Sequence, residues 1–127
     1  MRDDTVTDQP IMTREYRFGA EKPGQPVLVE IFAAEAVPGS DFECRFRITG
    51  LAEKPKEVSA FGIDSLQATE LAMKAVAIYL YTFARPPDPH VYWFEPGDTL
   101  ALPVMDPIKD LAAARTSPRE TDINRQL

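Results

Sequence analysis

The stretch GIDSLQATELAMKAVAIYLYTFA, residues 62–84, decides the fold. Ala68, Leu71, Ala72, Ala75, Val76, Tyr79 and Phe83 recur at helical spacing and share one face. Small side chains along that stripe let a helix lie close to a sheet. Asp64 suits the N-cap, and Gln67 stands where a capping box needs an amide or acid. Gly62 is read as the sharp turn from strand into helix. Glu70 and Lys74 form an i,i+4 pair on the far side, worth only ~0.3 kcal/mol. Pro86, Pro87 and Pro89 end the helix, because proline lacks the N–H a helix interior requires.

Upstream, the period changes from 3.6 to 2. Phe42, Cys44, Phe46 and Ile48 point one way, and Glu43, Arg45 and Arg47 the other. A one-residue slip would carry three charges into the core. Tyr16 and Phe18 alternate with Glu15 and Arg17 in the same manner. The run from Val27 to Ala34 is apolar on both faces and reads as a central strand, and 56–61 as a weaker edge strand. Pro23-Gly24 and Pro38-Gly39 are turn pairs, with glycine expected at positive φ. Downstream, Val91-Tyr92-Trp93-Phe94, the turn pair Pro96-Gly97 and Leu100-Ala101-Leu102 read as a hairpin or an ordered arm. The expected fold class is therefore α+β: three or four antiparallel strands packed against one long helix, with a C-terminal extended aromatic arm. Residues 1–12 read as a flexible tail, 13–103 as a single domain, and 104–127 as a weakly structured tail in which two short helices could start at Asp106-Pro107 and at Ser117-Pro118.

Composition narrows the partners. A formal net charge of −6 opposes both phosphate backbones and anionic lipid, so neither nucleic acid nor a membrane is expected. No apolar run approaches the ~20 residues that span a bilayer, and MRDDTVTDQP has acids where a signal peptide needs bases. With a single cysteine, Cys44, no intramolecular disulfide can form, which favours the cytoplasm. Abundant alanine, arginine and proline fit a GC-rich bacterial genome.

Candidate chemistry is sparse. His90, the only histidine, could serve as a base oriented by Asp88, but no nucleophile motif accompanies it. One cysteine and one histidine cannot make a structural zinc site, so neither metal nor cofactor is expected. Cys44, in the Phe42/Phe46/Ile48 row, reads as a buried inert thiol. Glu15, Arg17, Glu43, Arg45 and Arg47 form the outer face of the sheet, read chiefly as a solvated surface with weak ion pairs. Leu66, Met73, Ala77 and Leu80 make a second apolar helix stripe, to be covered by the Tyr92–Leu102 arm or by a second subunit.

Gly62-Ile63-Asp64-Ser65-Leu66-Gln67-Ala68, with Leu71 and Ala72 behind it, resembles a motif of small uncharacterised bacterial domains. In these a G-[VI]-D-S-x-Q-A turn leads from a few strands into one long helix, and a short aromatic segment follows. The resemblance spans residues 14–103 and implies an arrangement of elements but no activity or catalytic residues. The functional expectation is a non-enzymatic interaction module with a protein partner or a second copy. Its surface would comprise Leu66, Met73, Ala77, Leu80, Arg45 and Arg47, and an immunity or toxin-neutralising protein is one concrete form. The alternative is a small-molecule binder or enzyme, with Tyr79, His90, Tyr92 and Trp93 lining a pocket between sheet and helix.

Overall fold

A computed structural model describes residues 9–20, 23–84 and 90–105. In chain order the strands are β1 (Met12–Phe18), β2 (Gln25–Ile31), β3 (Glu35–Ala36), β4 (Phe42–Thr49) and β5 (Lys56–Gly62). Helix α1 (Ser65–Phe83) and strand β6 (Val91–Tyr92) follow. The fold is α+β, one helix on an antiparallel sheet. The sheet has six strands rather than the expected three or four. The two additions, β3 and β6, are two residues each, too short to show a period. Val91 and Tyr92, expected in a hairpin or arm, instead pair with Phe18 and Arg17 at the β1 edge. The tail residues 1–8, the helices expected from Asp106 and Ser117, and Asp88 lie outside the described residues.

Strand β3 continues β2 past a bulge. Ile31 faces Phe46 and Glu35 faces Glu43, so four steps along β2–β3 span three along β4. The extra residue ends the regular strand at Ile31, where the sequence reads extended structure to Ala34. β4 is thus flanked by β2–β3 on one side and by β5, from Phe42 to Ile48, on the other. Among the described residues β5 has no strand on its outer side.

The alternation in β4 is realised. Cys44, Phe46 and Ile48 are buried beside Tyr16, Val27, Val29 and Ile31 under Ala68, Ala72 and Val76 of α1. Asp64 Oδ1 accepts from the Gln67 N–H at 2.8 Å, and Gln67 Oε1 accepts from the Ile63 N–H at 2.7 Å. Gly62 has no positive φ; its need is space, since a Cβ there would strike the backbone of Gln67 and Ala68 in the first turn of α1. Gly24 likewise lacks the expected positive φ, and a Cβ there would lie 2.8 Å from the Phe18 carbonyl oxygen. No helix among the described residues is long and apolar enough to cross a membrane.

The buried face of α1 is wider than one stripe. Ala77, Leu80, Tyr81 and Ala84 are buried as well as the sheet-facing alanines, in one cluster with Val91 and Leu100. Met73 is half-buried against the same cluster, and Leu66 is 78% exposed. Phe83, placed by its spacing on the sheet side, is 38% exposed.

Candidate functional site

Three places on the molecule have chemistry to offer. The first is a groove of about 120 Å³ where the inner face of β1–β2 meets Met73 and residues 101–103. Its walls are Tyr16, Val29, Ile31, Met73 and Leu102, with Arg14 the charged member. Arg14 has the same parity as Tyr16 along β1, so it stands on the inner face of the sheet. Its guanidinium lies 4.1 Å from the centroid of the Trp93 ring. Nη1 donates to the Ala101 carbonyl at 2.9 Å, and at 3.3 Å to the Leu100 carbonyl and to Tyr16 Oη.

The chain that closes this groove has no strand partners, so side chains satisfy its backbone. Tyr16 Oη donates to the Leu100 carbonyl at 2.6 Å, and the Leu100 N–H donates to Tyr81 Oη at 3.0 Å. Both tyrosines and Leu100 itself are buried. Burial raises the Tyr16 pKa above the usual tyrosine range, and Arg14 partly opposes the shift. Asp98 accepts from the N–H groups of Trp93, Phe94 and Glu95 at 3.1, 2.8 and 3.0 Å, which fixes the turn at Pro96-Gly97. Ala101 is held at φ 54°, a left-handed conformation that costs a non-glycine residue ~1 kcal/mol.

The second place is the outer face of the sheet. Arg45 and Arg47 lie over the ring of Phe32, at 4.5 and 5.2 Å, and bury it. Arg47 pairs with Glu30 at 3.0 Å and with Glu57 at 3.7 Å, while Arg45 reaches Glu57 at 3.9 Å. Ser59 donates to Glu43. These charges are engaged with one another across three strands.

The third place is the corner where β5 turns into α1. Phe61, Ile63 and Leu66 are 53%, 77% and 78% exposed there, beside the open edge of β5. β5 carries charge only at Lys56 and Glu57; Val58 to Gly62 have none and no proline. Protein edges are ordinarily blunted by such residues.

Of the four residues expected to line one pocket, only Tyr92 and Trp93 lie together. Tyr79 lines a groove at the other end of the helix with Ile48, Leu51, Lys56 and Phe83, and lies against Phe46 at 6.1 Å. Tyr92 and Trp93 border a shallow depression with Arg17 and Pro23, and Tyr92 Oη accepts from the Gly24 N–H. His90 packs edge-on to Phe18 at 5.8 Å, and its main chain bonds to Phe83 and Gly19. Of the second stripe, Ala77 and Leu80 are fully buried and present no surface, whereas Leu66 does. Sequence reasoning passed over Arg14, although its inward parity beside Tyr16 and Phe18 was the available signal. Cys44 is buried, its thiol donates to the Phe32 carbonyl at 3.3 Å, and burial pushes its pKa up. Among the described residues no group of three or more His, Cys, Asp and Glu could hold a metal ion.

Fold and surfaces define a small α+β domain, an antiparallel sheet with one crossing helix and a side-chain-clamped closing segment. The chain belongs to the family described as a domain of unknown function (DUF6968), which matches residues 12–104, from the first residue of β1 to the chain closing the groove. No curated protein and no solved structure matched the chain.

Proposed function

We propose that this protein is a non-enzymatic interaction module that docks through the open edge of β5 and the apolar corner beside it. The observation that carries this is the exposure of Phe61, Ile63 and Leu66 next to the open outer edge of a strand whose last five residues carry no charge. The occupant is a second copy of the chain. Antiparallel self-pairing centred on Ser59 sets Val58 against Ala60 and Glu57 against Phe61. Continued beyond the strand ends, the same register sets Lys54 against Asp64 and Pro55 against Ile63. Lys54 has no carboxylate partner among the described residues, and this register gives it one, the Asp64 of the second copy. Three exposed apolar side chains and one short strand edge make a small contact, and small interfaces are transient, so a reversible dimer is the expected state.

Sedimentation velocity from about 10 μM to about 1 mM tests this. The wild type is expected to pass from monomer to dimer. Leu66→Lys and Phe61→Glu, both at exposed positions, are expected to keep the fold and weaken association by about tenfold or more. A monomer at every concentration defeats the reading, and so does a dimer that neither substitution touches. The net charge of −6 supports a related form, a bacterial cytoplasmic immunity protein whose partner is a basic toxin enzyme. A wild type that stays monomeric yet binds a basic enzyme through Leu66 would favour that form.

A further inference from the structure

We infer that the groove beside Arg14 is a binding site for small carboxylates with an apolar body. Every hydrogen bond of Arg14 leaves from Nη1. The Nε–Nη2 edge donates to nothing among the described residues, and no carboxylate pairs with the guanidinium there. That edge is the one that grips a carboxylate with two parallel hydrogen bonds. The group is held ready for such a ligand: its face lies on Trp93, and two successive carbonyls, Leu100 and Ala101, anchor its far side. Turning both carbonyls toward one guanidinium coincides with the left-handed conformation of Ala101. Strain kept at a cavity wall is a feature of ligand clamps.

The rest of the site selects the body of the ligand. Val29, Ile31, Met73 and Leu102 offer only apolar contact. The volume, about 120 Å³, is near that of an apolar cavity of about 150 Å³ that holds benzene. A single ring or a short aliphatic chain fills it, with the acid group at Arg14. The same chemistry occurs in a free aromatic or aliphatic acid and in the C-terminal leucine of a peptide. This site lies on the inner face of β1–β2, away from the β5 corner, so the two readings stand or fall separately.

The test is an NMR titration of the full chain with benzoate, hexanoate and N-acetylleucine, following the Arg14 Nε–H and the Ile31 and Met73 methyl groups. A saturable shift of all three signals is expected with an apparent Kd of about 1 mM or tighter. Benzamide, the neutral isostere of benzoate, is expected to bind at least about tenfold more weakly. N-acetylleucine binding ahead of the free acids identifies a chain terminus as the natural source, and the reverse order identifies a free acid. Arg14→Lys keeps the charge without the fork and is expected to lose about tenfold in affinity. The inference is overturned if no acid gives a saturable shift in the wild type, or if benzamide matches benzoate. Both of those arms use the unaltered protein, so they decide the matter even if the Arg14 variant fails to fold.

Discussion

Over β4 and β5 the inner face of the sheet is covered by α1, while over β1 and β2 it is covered by Trp93 and by the chain from Leu100 to Val104. A helix satisfies its own backbone, so alanine and valine suffice where it lies against a sheet. Ala68, Ala72 and Val76 do this. Irregular chain has no such internal ladder. Here its polar groups are met by Tyr16, Tyr81, Arg14 and Asp98, drawn from β1, α1 and the turn itself. One half of the core is therefore held by periodicity, and the other by a few long-range side-chain hydrogen bonds. A cover built from few bonds also leaves a gap, and the Arg14 groove is that gap.

The largest effect should come from the anchor of the irregular half. Leu100→Ala removes a fully buried side chain and is expected to lower stability by about 2–5 kcal/mol in urea unfolding. Far-UV circular dichroism of the variant at zero denaturant should retain the α1 signal. A loss under about 1 kcal/mol would show that this half is a loose cover and not part of the core.

Next in size is the clamp. Tyr81→Phe keeps the ring but leaves the buried Leu100 N–H without its acceptor, which costs about 1–3 kcal/mol. Thr82→Ala, one residue along the same helix and exposed, should stay within about 0.5 kcal/mol. Equal losses in the two variants would erase the distinction between a clamping tyrosine and an ordinary helix residue.

The same division explains what the sequence discloses. The helix and β4 were legible because their order repeats: Phe42, Cys44, Phe46 and Ile48 carry a period of 2, and Ala68, Ala72 and Val76 one of 3.6. Strands β3 and β6 have two residues each and exist because β4 and β1 offer them an edge, so no local pattern announces them. The pairing of Leu100 with Tyr16 and Tyr81 spans 84 and 19 residues, and hydrogen bonds at such separations leave no periodic trace. Phe32 falls on the outer face by the parity of β2, opposite to Ile31, but nothing in the sequence shows that two arginines cover it there. Of the candidate site, Met73 was legible as a residue needing cover and Trp93 as a pocket-lining aromatic, while Arg14 could be found only by taking the parity of β1 as seriously as that of β4. Tyr79, His90 and Tyr92 were expected together between sheet and helix under the arm, but Tyr79 stands beside Phe83, Tyr92 beside Trp93, and His90 packs on Phe18.

The smallest effect separates the two halves by pH. Burial raises the pKa of Cys44, under the helix, and of Tyr16, under the irregular cover. A raised folded pKa means that the native state keeps its proton after the unfolded chain has lost its own. The stability linked to each group is thus whole below its unfolded pKa and is lost as pH rises beyond it. Ordinary values of about 8.5 for cysteine and 10 for tyrosine put the helix half first and the clamp second. By pH 10 half of the unfolded tyrosine has ionised, so its share of the loss is on the order of a few tenths of a kcal/mol. Urea midpoints should fall from about pH 8.5 upward in the wild type. Cys44→Ala should delay the onset, and Tyr16→Phe should flatten only the later part of the decline. A Tyr16→Phe profile parallel to the wild type up to pH values well above 10 would mean that water reaches the phenol, and the clamp would then be an open one.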